Sequence, residues 1–191
     1  GWRLLPPINF GTSVFTTCPV SVKSSFNGPV TTCVTDTGHV VKTDVPKLMG
    51  GSNLHPQPVE LLLSSLLGCT TTTSHYISRN WHPKPFEIIG LEMDVKAHRD
   101  NRGVMKKPTH ELVEDFGIDA MLQRVTGVVT IFVSPLTEDI DSIDVSKFGV
   151  VVEDRCPVAN MIVKSGCVMD VEWVIKTKVE SGVESNDDGG S

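Results

Sequence analysis

Aromatic side chains are scarce in this chain. They make up 6% of 191 residues, and Tyr76 is the only tyrosine. That speaks against a surface on which bases stack. Basic charge is short too: 17 Lys and Arg face 23 Asp and Glu, for a net charge of -6 and a pI near 5.5. Phosphate binding needs a clustered basic surface, so a general nucleic-acid footprint is not expected. No run approaches the ~18 apolar residues of a membrane span, and no membrane partner is expected. Five cysteines occur, at Cys18, Cys33, Cys69, Cys156 and Cys167. None form a CxxC pair, and no His or Cys falls at zinc-finger spacing. Neither a metal nor a cofactor is therefore expected. The cysteine count is odd and sparse, which fits a reducing compartment better than a disulfide scaffold. Gly1 to Asn9 shows no charged-then-apolar signal pattern. The expected location is the cytoplasm, or an organelle matrix if a targeting segment was trimmed.

What remains is globular composition: 39% hydrophobic, 21% charged, mean hydropathy +0.01. A sizeable core is within reach. A single domain over residues 1–179 is expected, followed by an acidic, Gly- and Ser-rich disordered tail at 180–191.

Short runs of β-formers at 12–17, 21–24, 30–35 and 39–44, split by Asn27-Gly28-Pro29 and Asp36-Thr37-Gly38-His39, predict an N-terminal β-meander. A loop with Gly50-Gly51, Pro46 and Pro56 follows. Pro58 opens the strongest helical pattern, since proline is tolerated in a first turn. The run from Val59 to Leu67 is apolar on most faces. A helix over 58–80, central and buried, is predicted. Alternation predicts a strand over 86–97 with a bulge at Gly90. Residues 100–123 read as a charged excursion with a short helix at 110–116. A strand over 124–133, helices over 142–152 and 157–164, and a last strand over 168–179 complete an α+β order. A long apolar helix in so small a chain asks for more cover than one chain supplies, which favours a dimer.

Two cysteines stand at chemically suggestive places. Cys69 lies where the helix changes from apolar to a run of five hydroxyl residues, Thr70 to Ser74. Gly68 beside it marks a position where another element approaches closely. Cys156 precedes Pro157 and so falls at a helix N-cap, where a thiolate is favoured and its pKa depressed. Arg155 adds a cation beside it. Spacing alone does not bring Cys69 to Cys156, and both also suit plain buried packing. His75 lies about 240° round the helix from Cys69, the wrong side for a base. Cys167 reads as packing; Cys18 and Cys33 receive no chemistry. Lys106, Lys107, Arg99 and Arg102 read as a solvated charged loop.

The segment Pro58 to Thr70, the Gly50-Gly51 loop ahead of it and Cys156-Pro157-Val158 together resemble the OsmC/Ohr family, in the family's order and over most of the chain. The resemblance implies an intertwined α+β homodimer with active sites at the subunit interface. It also implies reduction of organic hydroperoxides by a peroxidatic Cys69 and a resolving Cys156, through a Cys69–Cys156 disulfide that an external dithiol reduces. Three features depart from the peroxidase members. Val59 stands where they carry a glutamate, and Glu60, one later, is roughly 180° from Cys69. No arginine occurs between Arg3 and Arg79, so Lys47 and Arg155 are the cations left to stabilise a thiolate. Residues 100–123 are extra. In these respects the chain resembles the YhfA-like branch more than the Ohr peroxidases. The rival reading is a non-enzymatic redox-sensing or small-ligand-binding module on the same fold.

Overall fold

The computed structural model describes residues 20–104, 107, 110–111, 117–137 and 140–177. The chain divides into two compact units, Gly1–Glu60 and Leu61–Ser191.

In the first unit three antiparallel strands follow one another: β1 (Val22–Asn27), β2 (Val30–Thr35) and β3 (Val40–Thr43). The two-residue loop between Asn27 and Val30 turns at Gly28, whose φ of 62° suits glycine. After β3 the chain coils around one buried carboxylate. Asp44 accepts the backbone N–H groups of Val45 (2.7 Å), Ser52 (3.2 Å) and Leu54 (3.0 Å). The Leu54 bond above all holds its carboxyl below the usual carboxylate range. Gly51 closes this loop so tightly that a Cβ there would lie 1.8 Å from the Val45 carbonyl oxygen. The loop ends at Gln57, whose N–H donates to the Glu60 carboxylate at 2.7 Å. That bond satisfies a free amide where α1 (Pro58–Arg79) begins.

The second unit is built on β4 (Ile88–Arg99), β5 (Leu122–Val133) and β6 (Val168–Thr177), in the order β4-β5-β6. β4 and β5 run antiparallel; β5 and β6 run parallel. A parallel neighbour needs a crossover, and two helices supply it: α2 (Val145–Arg155) and α3 (Pro157–Lys164). Pleating sorts the faces. Rows such as Leu91-Ile131-Ile175 and Met93-Val129-Trp173 turn inward. Rows such as Lys96-Thr126-Asp170 share the other face. The core gathers Ile77, Phe86, Ile131, Phe148, Val152 and Trp173. Phe148 meets the rings of Trp81, Phe86 and Trp173 at centroid distances of 5.4, 5.3 and 5.9 Å. α2 lies close against β6 because Gly149 carries no side chain: a Cβ there would be 2.4 Å from Trp173 Cδ1.

The mixed α+β class and the order of elements are as expected, and the bulge falls between Ile88 and Gly90. Four details differ. α1 is not buried all round. Within one chain only Leu66, Thr70, Ser74, Ile77 and Ser78 are buried, a single stripe, while Leu62 and Tyr76 are exposed. Apolar composition gave no direction to the cover, and the elements of one chain cover one side. Gly68 meets nothing within 4 Å, so its expected close neighbour is not found among the described residues. β5 begins two residues early, at Leu122, which shortens the excursion. α2 is shifted to 145–155, because Asp144 caps it by accepting from Lys147 N–H at 2.9 Å. The expected strand at 12–17 and the tail at 180–191 lie outside the described residues. So does most of the expected helix at 110–116, of which His110 and Glu111 form a turn and a bend.

Candidate active site

Cys156 occupies the corner between the crossover helices. Its N–H donates to the Val152 carbonyl at 2.9 Å, ending α2. Its Sγ accepts from Ala159 N–H at 3.5 Å, capping α3, and Pro157 takes the first helical position, where no N–H is missed. One residue thus closes one helix and opens the next. The side-chain amide of Asn160 crosses the same corner. Its Nδ2 donates to the carbonyls of Glu153 (3.1 Å) and Cys156 (3.3 Å), and to that of Asp154.

Cys69 projects from α1 and is partly buried; Cys156 is fully buried, and neither is in a disulfide. Cys69 lies near enough to Cys156 to act on its ionisation. Two segments far apart in sequence therefore place these cysteines near one another within the second unit.

The electrostatics of Cys156 correct the expectation from its N-cap position. Burial pushes its thiol above the ordinary 9.0. The Ala159 and Val158 amides pull the other way, and Cys69 adds a further upward push. Loss of water outweighs the helix terminus, so Cys156 is held as a neutral thiol at neutral pH.

Lys47 belongs to the first unit, in a short 3-10 turn, and is exposed. Arg155 is the last residue of α2 and is exposed. His75 is half-buried on α1, where burial and then Arg79 disfavour its charged form. Cys167 is buried, and burial raises its thiol pKa. Cys33 lies on β2; Cys18 is outside the described residues.

Sequence reasoning missed two residues beside this corner. Asn160 is one. Glu153 is the other: burial pushes its carboxyl up, while the Trp173 indole N–H, donating at 3.1 Å, opposes the shift. Glu153 lines a small gap with Leu66, Thr70, Met93, Val129 and Trp173. That gap encloses about 10 Å³, no more than a single water needs. The available signal was spacing, since Glu153 and Asn160 stand one helical turn before and after Cys156.

The family model for OsmC-like proteins matches residues 50–172, a stretch containing both cysteines. The chain belongs to the OsmC-like family. No curated protein matches it in sequence. Among solved structures, the OsmC-like fold is shared by an OsmC-like protein from Mycoplasma pneumoniae. That match has 19% identity and a TM-score of 0.57, covering 85% of this chain and 99% of the other. A Legionella pneumophila protein described as an organic hydroperoxide resistance protein matches at 15% identity and a TM-score of 0.54, covering 86% and 99%. A protein from Elizabethkingia anophelis with the same description matches at 15% and 0.56, covering 86% and 100%. At such identities the likeness is one of fold. Among the described residues, no helix is long and apolar enough to cross a membrane.

Proposed function

We propose that this OsmC-like protein is a thiol peroxidase for organic hydroperoxides. The observation that carries the reading is the nearness of Cys69 to Cys156, close enough to raise the Cys156 thiol pKa. Cys69, partly buried at the side of α1, is the attacking group. Its thiolate takes the distal peroxide oxygen: an S–O bond forms, the O–O bond breaks, and the alkoxide leaves as alcohol after gaining a proton. Cys156 then condenses with the resulting sulfenic acid to give a disulfide and water. An external dithiol reduces the disulfide and restores both thiols. Cys156 is suited to the second role, because a thiol held neutral is a poor first nucleophile.

The working unit is proposed to be a homodimer. α1 buries one stripe, and Gly68 leaves open space on a side that a second copy would cover.

The test is single-turnover peroxide loss by quenched flow. Cys69→Ser abolishes even the first turnover. Cys156→Ser consumes about one equivalent and stops, its sulfenic acid open to further oxidation. A burst that survives in Cys69→Ser overturns these roles.

One observation favours the second reading, a non-enzymatic redox sensor: Glu60, the nearest carboxylate to the family's helix-start position, accepts from Gln57 N–H at the opening of α1. Absence of any burst in the native protein, with a disulfide still formed slowly by oxidant, supports the sensor.

A further inference from the structure

The last carbonyls of a helix have no partner further along it. At the end of α2 that gap is filled from α3. The Asn160 amide donates to the carbonyls of Glu153, Asp154 and Cys156, the first and last at 3.1 and 3.3 Å. Its own backbone N–H bonds the Cys156 carbonyl at 2.9 Å, as the first turn of α3 requires. An amide nitrogen carries two hydrogens, so three acceptors share them. One half-buried side chain thus ties the last turn of α2 to the first turn of α3, with Cys156 between. Asparagine is a poor helix former, and helix formation alone gives no reason for it at this place. The tie across the corner does.

We infer that Asn160 is a positioning residue for the resolving thiol. This inference rests on the peroxidase reading and specifies how that site closes its disulfide. In the closing step the Cys156 sulfur bonds the Cys69 sulfur and the S–O bond of the sulfenic acid breaks. The hydroxyl leaves with the Cys156 proton as water. The rate depends on how constantly the two sulfurs are held in register. With the α2–α3 corner fixed, Cys156 keeps its place near Cys69. With the tie removed, the corner swings and each thiol sees less of the other.

The experiment compares the native protein with Asn160→Ala and Asn160→Gln, the second keeping the amide one methylene further out. Three quantities are read: the burst of tert-butyl hydroperoxide loss, the rate of disulfide formation with dimedone trapping of sulfenic acid, and the Cys69–Cys156 equilibrium with glutathione. The expected result for Asn160→Ala is an unchanged burst, disulfide formation slowed about tenfold or more, dimedone adduct accumulating on Cys69, and a disulfide correspondingly weaker against glutathione. Asn160→Gln falls between native and Ala, and it decides the matter alone if the alanine variant does not fold. Native-like closure and glutathione equilibrium in both variants overturn the inference. So does a loss of burst and closure in equal proportion, which is what a merely structural residue gives. A native protein without a burst removes the peroxidase reading only. The glutathione equilibrium needs no peroxide and still decides the role of Asn160.

Discussion

At the residue scale the two thiols differ in what surrounds them, and the difference has a measurable sign. Cys156 is buried and its thiol pKa lies above 9.0, chiefly through burial. Condensation with a sulfenic acid proceeds through the thiolate, so the rate of disulfide closure should climb with pH from about 6 to about 9. No plateau is expected below the raised pKa. Stopped-flow fluorescence after a peroxide pulse checks this, and a plateau near neutrality would show that Cys156 is ionised there. The chemistry of this residue was half legible in the sequence. Cys156-Pro157 announced an N-cap, and the cap is present, with Ala159 N–H on the sulfur. The direction of the pKa shift was not legible. It depends on how much water the sheet and helices exclude, and that is a property of packing.

At the element scale, α2 sets the height of Cys156 above the sheet. Gly149 permits its close approach to Trp173, and Glu153 fixes the indole from the same helix. Gly149→Ala puts a methyl into a rigid ring, with no flexible chain end to give way. The expected cost is about 1–3 kcal/mol, typical of overpacking, despite alanine's better helix propensity. A denaturant midpoint lower than native checks it; a midpoint equal or higher would mean that α2 shifts freely. Leu66→Ala, on the buried stripe of α1, should cost about 2–5 kcal/mol by the same measurement. Periodicity and turn residues located most of the elements. The Gly28 turn, the Gly90 bulge and the α2–α3 break at Cys156-Pro157 each have a local cause that a sequence displays. The parallel pairing of β5 with β6 has none. It is decided by the crossover of α2 and α3 and by inner-face partners such as Val129 and Trp173, and those partnerships join residues far apart in the chain. Glu153 and Asn160 were overlooked for a similar reason. Each acts on a backbone or ring group whose position is known only after α2 and α3 meet.

At the scale of the whole molecule, α1 buries one stripe and leaves its other sides open. Residues that read as a buried helix leave Leu62 and Tyr76 exposed and Gly68 bare among the described residues. If a second copy covers this side, sedimentation at micromolar concentration shows a dimer burying well over ~2,000 Å². Gly68→Leu then yields monomers. Among the described residues the added side chain starts in open space, so secondary structure by circular dichroism should be retained. A stable native monomer, or a Gly68→Leu protein that remains dimeric, argues for cover of another kind. The one-sided burial of α1 also has a thermodynamic consequence. When folding and association are linked, the midpoint of heat denaturation is set by mass action as well as by contacts. Calorimetric scans of the native protein should therefore move upward as its concentration is raised. Those of Gly68→Leu should stay where they are, so that dilution weakens the native protein more than it weakens the variant.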